Sequence, residues 1–152
     1  MVEAYDSSKD QGYESHIGGN MELHTLGGYS GSVVVDERYV IKVPKDMPLE
    51  KVGPLLCAGI TVYDPMRQWG ALLGKPMCIG VAGIGGLGTM GIKLAKSLGH
   101  RVVAISSSEN KEAMAKEKGA DAFVVSSSYK SMRAENGKID IILNTISAAH
   151  SV

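Results

Sequence analysis

The sequence predicts an α/β chain built on a parallel sheet, and three observations carry that prediction. Short apolar runs, Met77 to Ala82, Arg101 to Ile105, Phe123 to Val125 and Ile139 to Leu143, read as strands. Helical patterns stand between them, as βαβ units require. The first strand meets the first helix at Gly83, Gly85 and Gly88, spaced G-x-G-x-x-G. The runs are near-continuous rather than alternating, which fits a sheet covered on both faces.

In chain order, residues 1 to about 27 read as irregular, rich in Gly, Ser and Asp, and Gly27-Gly28 close them. YSGSVVVDERYVIKVP alternates and is rich in Val, Ile and Tyr. It reads as two short strands, with Asp36-Glu37-Arg38 between them and Pro44 ending the second. Asp46 to Trp69 reads as helix, broken near Gly53-Pro54 and again near Pro65. After a loop at Gly70 to Pro76 comes the first strand of the sheet. Gly86 to Leu98 is helical, with Leu87, Met90, Ile92, Leu94, Ala95 and Leu98 apolar and Gly99 as its stop. Glu109 to Lys118 is a second helix, with Ser108 at the N-cap and Gly119 at the end. Ser127 to Arg133 reads as a weak helix before the last strand.

The bulk numbers exclude several classes. The chain has 152 residues, with Lys plus Arg equal to Asp plus Glu at 16 each. A formal net charge of zero gives no electrostatic footprint for nucleic acid or an anionic membrane. No apolar run has the length a bilayer needs, and MVEAYDSSKDQGYESH is neither a signal nor a transit peptide. Two cysteines, Cys57 and Cys78, exclude a disulfide framework and a Cys-only structural zinc site, so a reducing cytoplasm is the expected setting. The four histidines show no ligand spacing.

The glycine turn, in its strand–turn–helix setting, is the fingerprint of a dinucleotide-binding Rossmann fold. Gly83 allows the sharp turn, Gly85 lets backbone approach a pyrophosphate, and Gly88 lets helix pack on strand. Gly83, Ile84, Gly85, Gly86, Leu87 and Gly88 are the candidate cofactor-binding turn. A helix start adds unpaired N–H groups and a positive dipole end. An NAD site carries an acid at the end of the second strand, about 20 residues on. Here that strand runs into Ser106-Ser107-Ser108, with Lys111 one turn later. Hydroxyls and a cation suit a 2′-phosphate, so NADP is favoured over NAD. Glu109 lies in the same window and is the residue an NAD reading would use. As a first-turn acid it also stabilises its own helix.

TLGGYSGSVVVDERYVIKVP, PLLCAGITVYDPMRQWG, GVAGIGGLGTMGIKLAKSLG, SSSENKEAM, KGADAFVVS and NTISAAH resemble, block by block, one family. It is the zinc-dependent medium-chain alcohol dehydrogenases, in the cinnamyl alcohol dehydrogenase branch with its NADP-dependent aldehyde reductases. The resemblance covers roughly residues 25 to 150. It implies hydride transfer between NADPH and a small aldehyde or primary alcohol, a catalytic zinc, and a homodimeric parental enzyme. Cys57 takes the position of one of three zinc ligands, and Thr61 that of a threonine near the nicotinamide. Ser106, Ser107 and Lys111 match the residues that receive the 2′-phosphate. Thr145, Ser147, Ala148 and His150 fall in the segment passing the nicotinamide end. Read without the resemblance, Cys57 is a small core hydrophobe, as Cys78 is.

The same resemblance implies that the other zinc ligands and the start of the proton relay lie in a catalytic domain preceding this chain. The last two strands, with the dimer contact, would follow it. The expectation is therefore a fragment: residues 1–45 a β-rich remnant of the GroES-like catalytic domain, residues 46–152 a partial NADP-binding Rossmann domain, inactive alone. A single thiolate does not make a catalytic zinc site. The alternatives are a non-catalytic NADP-binding module and a zinc-free, quinone-reductase-like enzyme in which Cys57 is core.

Overall fold

The computed structural model describes residues 29–148. The chain divides into two compact units, Met1–Met47 and Pro48–Val152.

Within the first unit the two expected strands are absent from the described residues. A single 3₁₀ turn, Glu37–Tyr39, stands between extended flanks, Asp36 with ψ 135° and Val40 with φ −96° and ψ 124°. Asp36 caps the turn by accepting the Arg38 N–H at 2.9 Å, and the Arg38 guanidinium closes on the same carboxylate at 2.8 Å. Val34 is 95% exposed, and Val33, Val40 and Ile41 are exposed too. β-propensity records how well a side chain fits a pleated, half-buried surface. Among the described residues, no ladder partner and no buried face turn that preference into a strand.

The second unit begins with a helical rod over residues 49–68. It opens as 3₁₀ at Leu49–Lys51, makes one α turn at Val52–Pro54, widens into a π turn at Leu55–Gly59 and continues as α1, Ile60–Gln68. It starts three residues later than expected, after Pro48, and neither expected break occurs. Pro54 sits in the opening α turn with φ −60°, where an N–H has little to bond. Pro65 lies inside α1, yet Val62 and Met66 beside it are 2% and 0% exposed. That burial holds the helix together across the bond the proline forgoes.

β1 is Cys78–Ala82, α2 Gly86–Ser97, β2 Arg101–Ser106, α3 Glu112–Glu117 after a 3₁₀ turn at Glu109–Lys111, β3 Ala122–Val125, α4 Tyr129–Ala134 and β4 Ile141–Asn144. Strand order is β3-β2-β1-β4, all pairs parallel, with Val81 opposite Ala104 on one side and Leu143 on the other. Alternate residues feed two cores. Ile79, Val81, Val102, Ala104 and Leu143 pack with Val62, Met66, Ile92, Ala95 and Ala115, while Cys78, Ala82, Val103, Ile105 and Val124 form the second. All of β1 is buried. Ile142 on β4 is 58% exposed, and β4 has β1 as its strand partner at the end of the order.

Gly99, with φ +85°, closes α2: its N–H bonds Lys96 O at 3.0 Å and the His100 N–H bonds Ala95 O at 3.2 Å. This double bond pattern is the Schellman stop the sequence signals. Ser108 stands before the second helix, but its hydroxyl donates to Asn110 Oδ1 at 2.6 Å and caps nothing. Ser128 does cap α4, accepting the Ser131 N–H at 3.3 Å. The starts of β1 and β2 are held by carboxylates: Asp140 accepts the Cys78 N–H and Asp121 the Val102 N–H, each at 2.8 Å.

Arg101 donates two hydrogen bonds to Glu135, at 2.9 and 3.0 Å, tying β2 to the end of α4. The guanidinium holds the Glu135 carboxyl below the ordinary glutamate value, outweighing the burial that would raise it. Glu135 is therefore more acidic folded than unfolded. Its contribution is complete above the ordinary glutamate value and is lost as pH falls through the lowered folded one. Between about pH 6 and about pH 3, the melting temperature of the wild type should fall further than that of Glu135→Gln. Parallel falls would show that the pair adds nothing to acid lability.

Candidate nucleotide-binding site

The chain leaves β1 at Ala82 and turns at Gly83, whose φ is +88°, a conformation other L-residues rarely adopt. The Gly83 N–H bonds Ile105 O on β2 at 3.0 Å, so the turn stays joined to the sheet. Gly88 then passes beneath it. A Cβ on Gly88 would overlap the Gly83 carbonyl oxygen and come within 3.0 Å of its carbon. Ile84, 2% exposed, and Leu87 anchor the turn in the core. Gly85 and Gly86 face open space, with nothing within 4 Å of an added Cβ. The Thr89 N–H is bonded back to Gly85 O at 2.9 Å. The N–H groups of Gly86 to Gly88 before it are the unpaired donors of a helix start.

The topology puts this turn at a special point. From β1 the chain proceeds through α2 to β2 on one side, and after β3 it crosses to β4 on the other. The carboxyl ends of β1 and β4 thus flank the switch point where ligands of open α/β sheets bind. Thr145 follows β4 there. Its N–H bonds Ala82 O at 2.9 Å, and its Oγ1 lies 2.9 Å from both Ala82 O and Gly83 O. Asn144 Oδ1 accepts the Ile146 N–H at 3.1 Å, which bends the chain away after Thr145. Ser147 is exposed, and His150 lies outside the described residues.

At the end of β2, Ser106 is 7% exposed and its Oγ accepts the Ser108 N–H at 3.3 Å, leaving its own proton to donate. Its carbonyl accepts the Ser126 N–H at 2.8 Å, a support from β3 that nothing in the sequence pattern signals. Ser107 is exposed and Lys111 half-buried. Among the described residues neither Lys111 nor Glu109 forms an ion pair.

Cys57 is exposed, not a core residue, whereas Cys78 is buried and accepts from Arg101 at 3.1 Å. Cys57 sits in the π turn, where the Ile60 N–H reaches Leu55 O, five residues back. Such bulges recur at functional positions. Thr61, also exposed, donates its hydroxyl to Cys57 O at 2.8 Å. The π turn has no marker in the sequence beyond the neighbouring Pro54 and Gly59. No group of three or more His, Cys, Asp or Glu among the described residues is placed to hold a metal ion. These residues alone therefore do not fit a catalytic zinc, and no step is assigned to one.

The structure thus places the Gly83–Gly88 turn, Ser106 and Thr145 at one end of the sheet, the turn bonded to Ile105 beside Ser106 and to Thr145. That architecture is the class of dinucleotide-binding α/β domains. The sequence profile of the zinc-binding dehydrogenases matches residues 86–152. Aldehyde reductase YahK of Escherichia coli (strain K12) is 52% identical over 131 residues, covering 85% of this chain and 37% of that protein. A cinnamyl alcohol dehydrogenase from Sorghum bicolor aligns with a TM-score of 0.67 at 46% identity, over 72% of this chain and 31% of the other. The cinnamyl alcohol dehydrogenase of Helicobacter pylori, complexed with NADP(H), aligns at 0.68 and 41% identity, over 82% and 34%. Residues 86–152 thus match the zinc-binding dehydrogenase family, and the chain is similar to cinnamyl alcohol dehydrogenases and an aldehyde reductase, spanning about a third of the length of these relatives. Among its described residues, no helix is long and apolar enough to cross a membrane.

Gly88 and Gly86 make a matched test. Gly88→Ala should destabilise the chain by about 1–3 kcal/mol, because backbone must move to admit the methyl. Gly86→Ala, in open space at a helix start, should leave stability within about 1 kcal/mol of wild type. Urea unfolding of both variants measures this, and equal costs would contradict the packing described.

Proposed function

We propose that this chain is the NADP(H)-binding part of an alcohol dehydrogenase that interconverts aldehydes and primary alcohols. The observation that carries it is the glycine turn at the switch point, with Gly88 packed under the Gly83 carbonyl and Gly85 and Gly86 open. The backbone N–H groups of Ile84 to Gly88 would receive the pyrophosphate, at the positive end of α2. Ser106, Ser107 and Lys111, which forms no ion pair among the described residues, would hold the 2′-phosphate, where a carboxylate would repel it. The nicotinamide, when bound, supplies the hydride. Thr61 and Ser147 belong on this reading to its nicotinamide end, and Thr145 stands beside the glycine turn with its hydroxyl on the Gly83 carbonyl.

In the whole protein, residues 1–45 would be the remnant of the GroES-like catalytic domain and residues 46–152 the nucleotide-binding part. Cys57, exposed and in a π turn, is the candidate for one zinc ligand. The other ligands are not among the described residues, which favours as second reading a nucleotide-binding module without chemistry of its own. The family resemblance supports a homodimer acting on small molecules, cysteine usage supports a reducing cytoplasm, and the zero net charge offers no footprint for nucleic acid or a membrane surface.

Titration of the purified chain with NADPH and NADH, followed by nicotinamide fluorescence, tests the proposal. NADPH should bind at least about tenfold more tightly, and Lys111→Ala should remove about tenfold from NADPH while sparing NADH, as expected for one charge-assisted hydrogen bond. Equal affinities would return the ribose contact to Glu109 and overturn the NADP assignment.

A further inference from the structure

The Thr145 side chain stands where three parts of the turn meet. Its Oγ1 lies 2.9 Å from Ala82 O and 2.9 Å from Gly83 O. Added Cβ atoms on Gly83 and Gly88 would come within 3.0 and 3.1 Å of the same oxygen. A hydroxyl has one proton to donate. Ala82 O already accepts the Thr145 backbone N–H at 2.9 Å, whereas Gly83 O has the hydroxyl as its donor among the described residues. The second carbonyl therefore gains most from that proton.

The consequence lies on the other side of the same peptide. In a trans peptide the N–H points opposite to the C=O. With Gly83 C=O held toward Thr145, the Ile84 N–H is turned the opposite way. Rotation of this peptide would replace a donor by a carbonyl oxygen, which repels phosphate. Gly83 itself opposes no such rotation, since glycine tolerates either setting. The restraint has to come from outside the turn.

Resting on the cofactor reading above, we infer that Thr145 is a positioning residue for the pyrophosphate. Its hydroxyl latches the Gly83–Ile84 peptide with its donor available to the ligand. It acts through the turn and touches no reacting atom. The latch directly follows β4, so the pairing of β4 with β1 brings it to the turn.

The test compares two ligands on the same chain. NADPH carries the pyrophosphate, and adenosine 2′-monophosphate carries only the end held by Ser106, Ser107 and Lys111. Thr145→Val should weaken NADPH about fivefold to tenfold, the range for one neutral hydrogen bond, and leave adenosine 2′-monophosphate unchanged. Thr145→Ser, which keeps the hydroxyl, should bind NADPH like wild type. Should Thr145→Val not fold, Thr145→Ala carries the same expectation. Unchanged NADPH affinity in the valine variant, or equal losses for both ligands, would overturn the latch while the cofactor reading stood. Failure of the folded wild type to bind NADPH would overturn both.

Discussion

Gly88 lies so close to the carbonyl of Gly83 that no side chain fits between them. That approach sets how α2 leaves the sheet, and much else follows from it. It seats α2 on the face made by Ile79, Val81 and Val102, where Ile92 and Ala95 are fully buried. It leaves Gly85 and Gly86 on the outside of the bend with open space above them. Packing and ligand access are thus two sides of one contact. The buried side is filled by Ile84 and Leu87, and the accessible side consists of backbone.

The site is a property of the sheet's end rather than of the turn alone. The turn is bonded to β2 through Ile105 O and to the segment after β4 through Thr145. Ser106 follows Ile105 directly, so the bond that fixes the turn also fixes its distance from Ser106 and Ser107. At the opposite end of the sheet, Asp121 and Asp140 hold the first N–H groups of β2 and β1. Charge is used there to start strands, and at the carboxyl ends the helix-start donors of α2 are unpaired among the described residues.

Much of this was legible in the sequence, for a physical reason. β1, α2 and β2 are specified locally and globally in the same sense: apolar strands, a 3.6-residue period, glycine where φ is positive and glycine where a Cβ would collide. Local and tertiary preferences agree there, and consistency of that kind makes a pattern readable. Residues 33–43 carry equally good strand residues, but a strand needs a partner that composition does not reveal. Pro54 and Pro65 predict breaks that do not occur, because position in the first turn and burial of Val62 and Met66 override them. Cys57 is exposed within a π turn, which its apolar neighbours in the sequence do not signal. The fixing of Gly83 by Thr145 joins residues 62 apart in sequence, and no local motif encodes it.

The central claim is that one end of this sheet is built to receive a phosphate-bearing dinucleotide. Amide chemical-shift mapping of the isotope-labelled chain during addition of NADPH addresses it most directly. Shifts should concentrate at Gly83 to Gly88, Ser106 to Lys111 and Thr145, with Cys78, Asp121 and Asp140 at the far end of the strands unmoved. Shifts at that far end, or none in a folded chain, would contradict it.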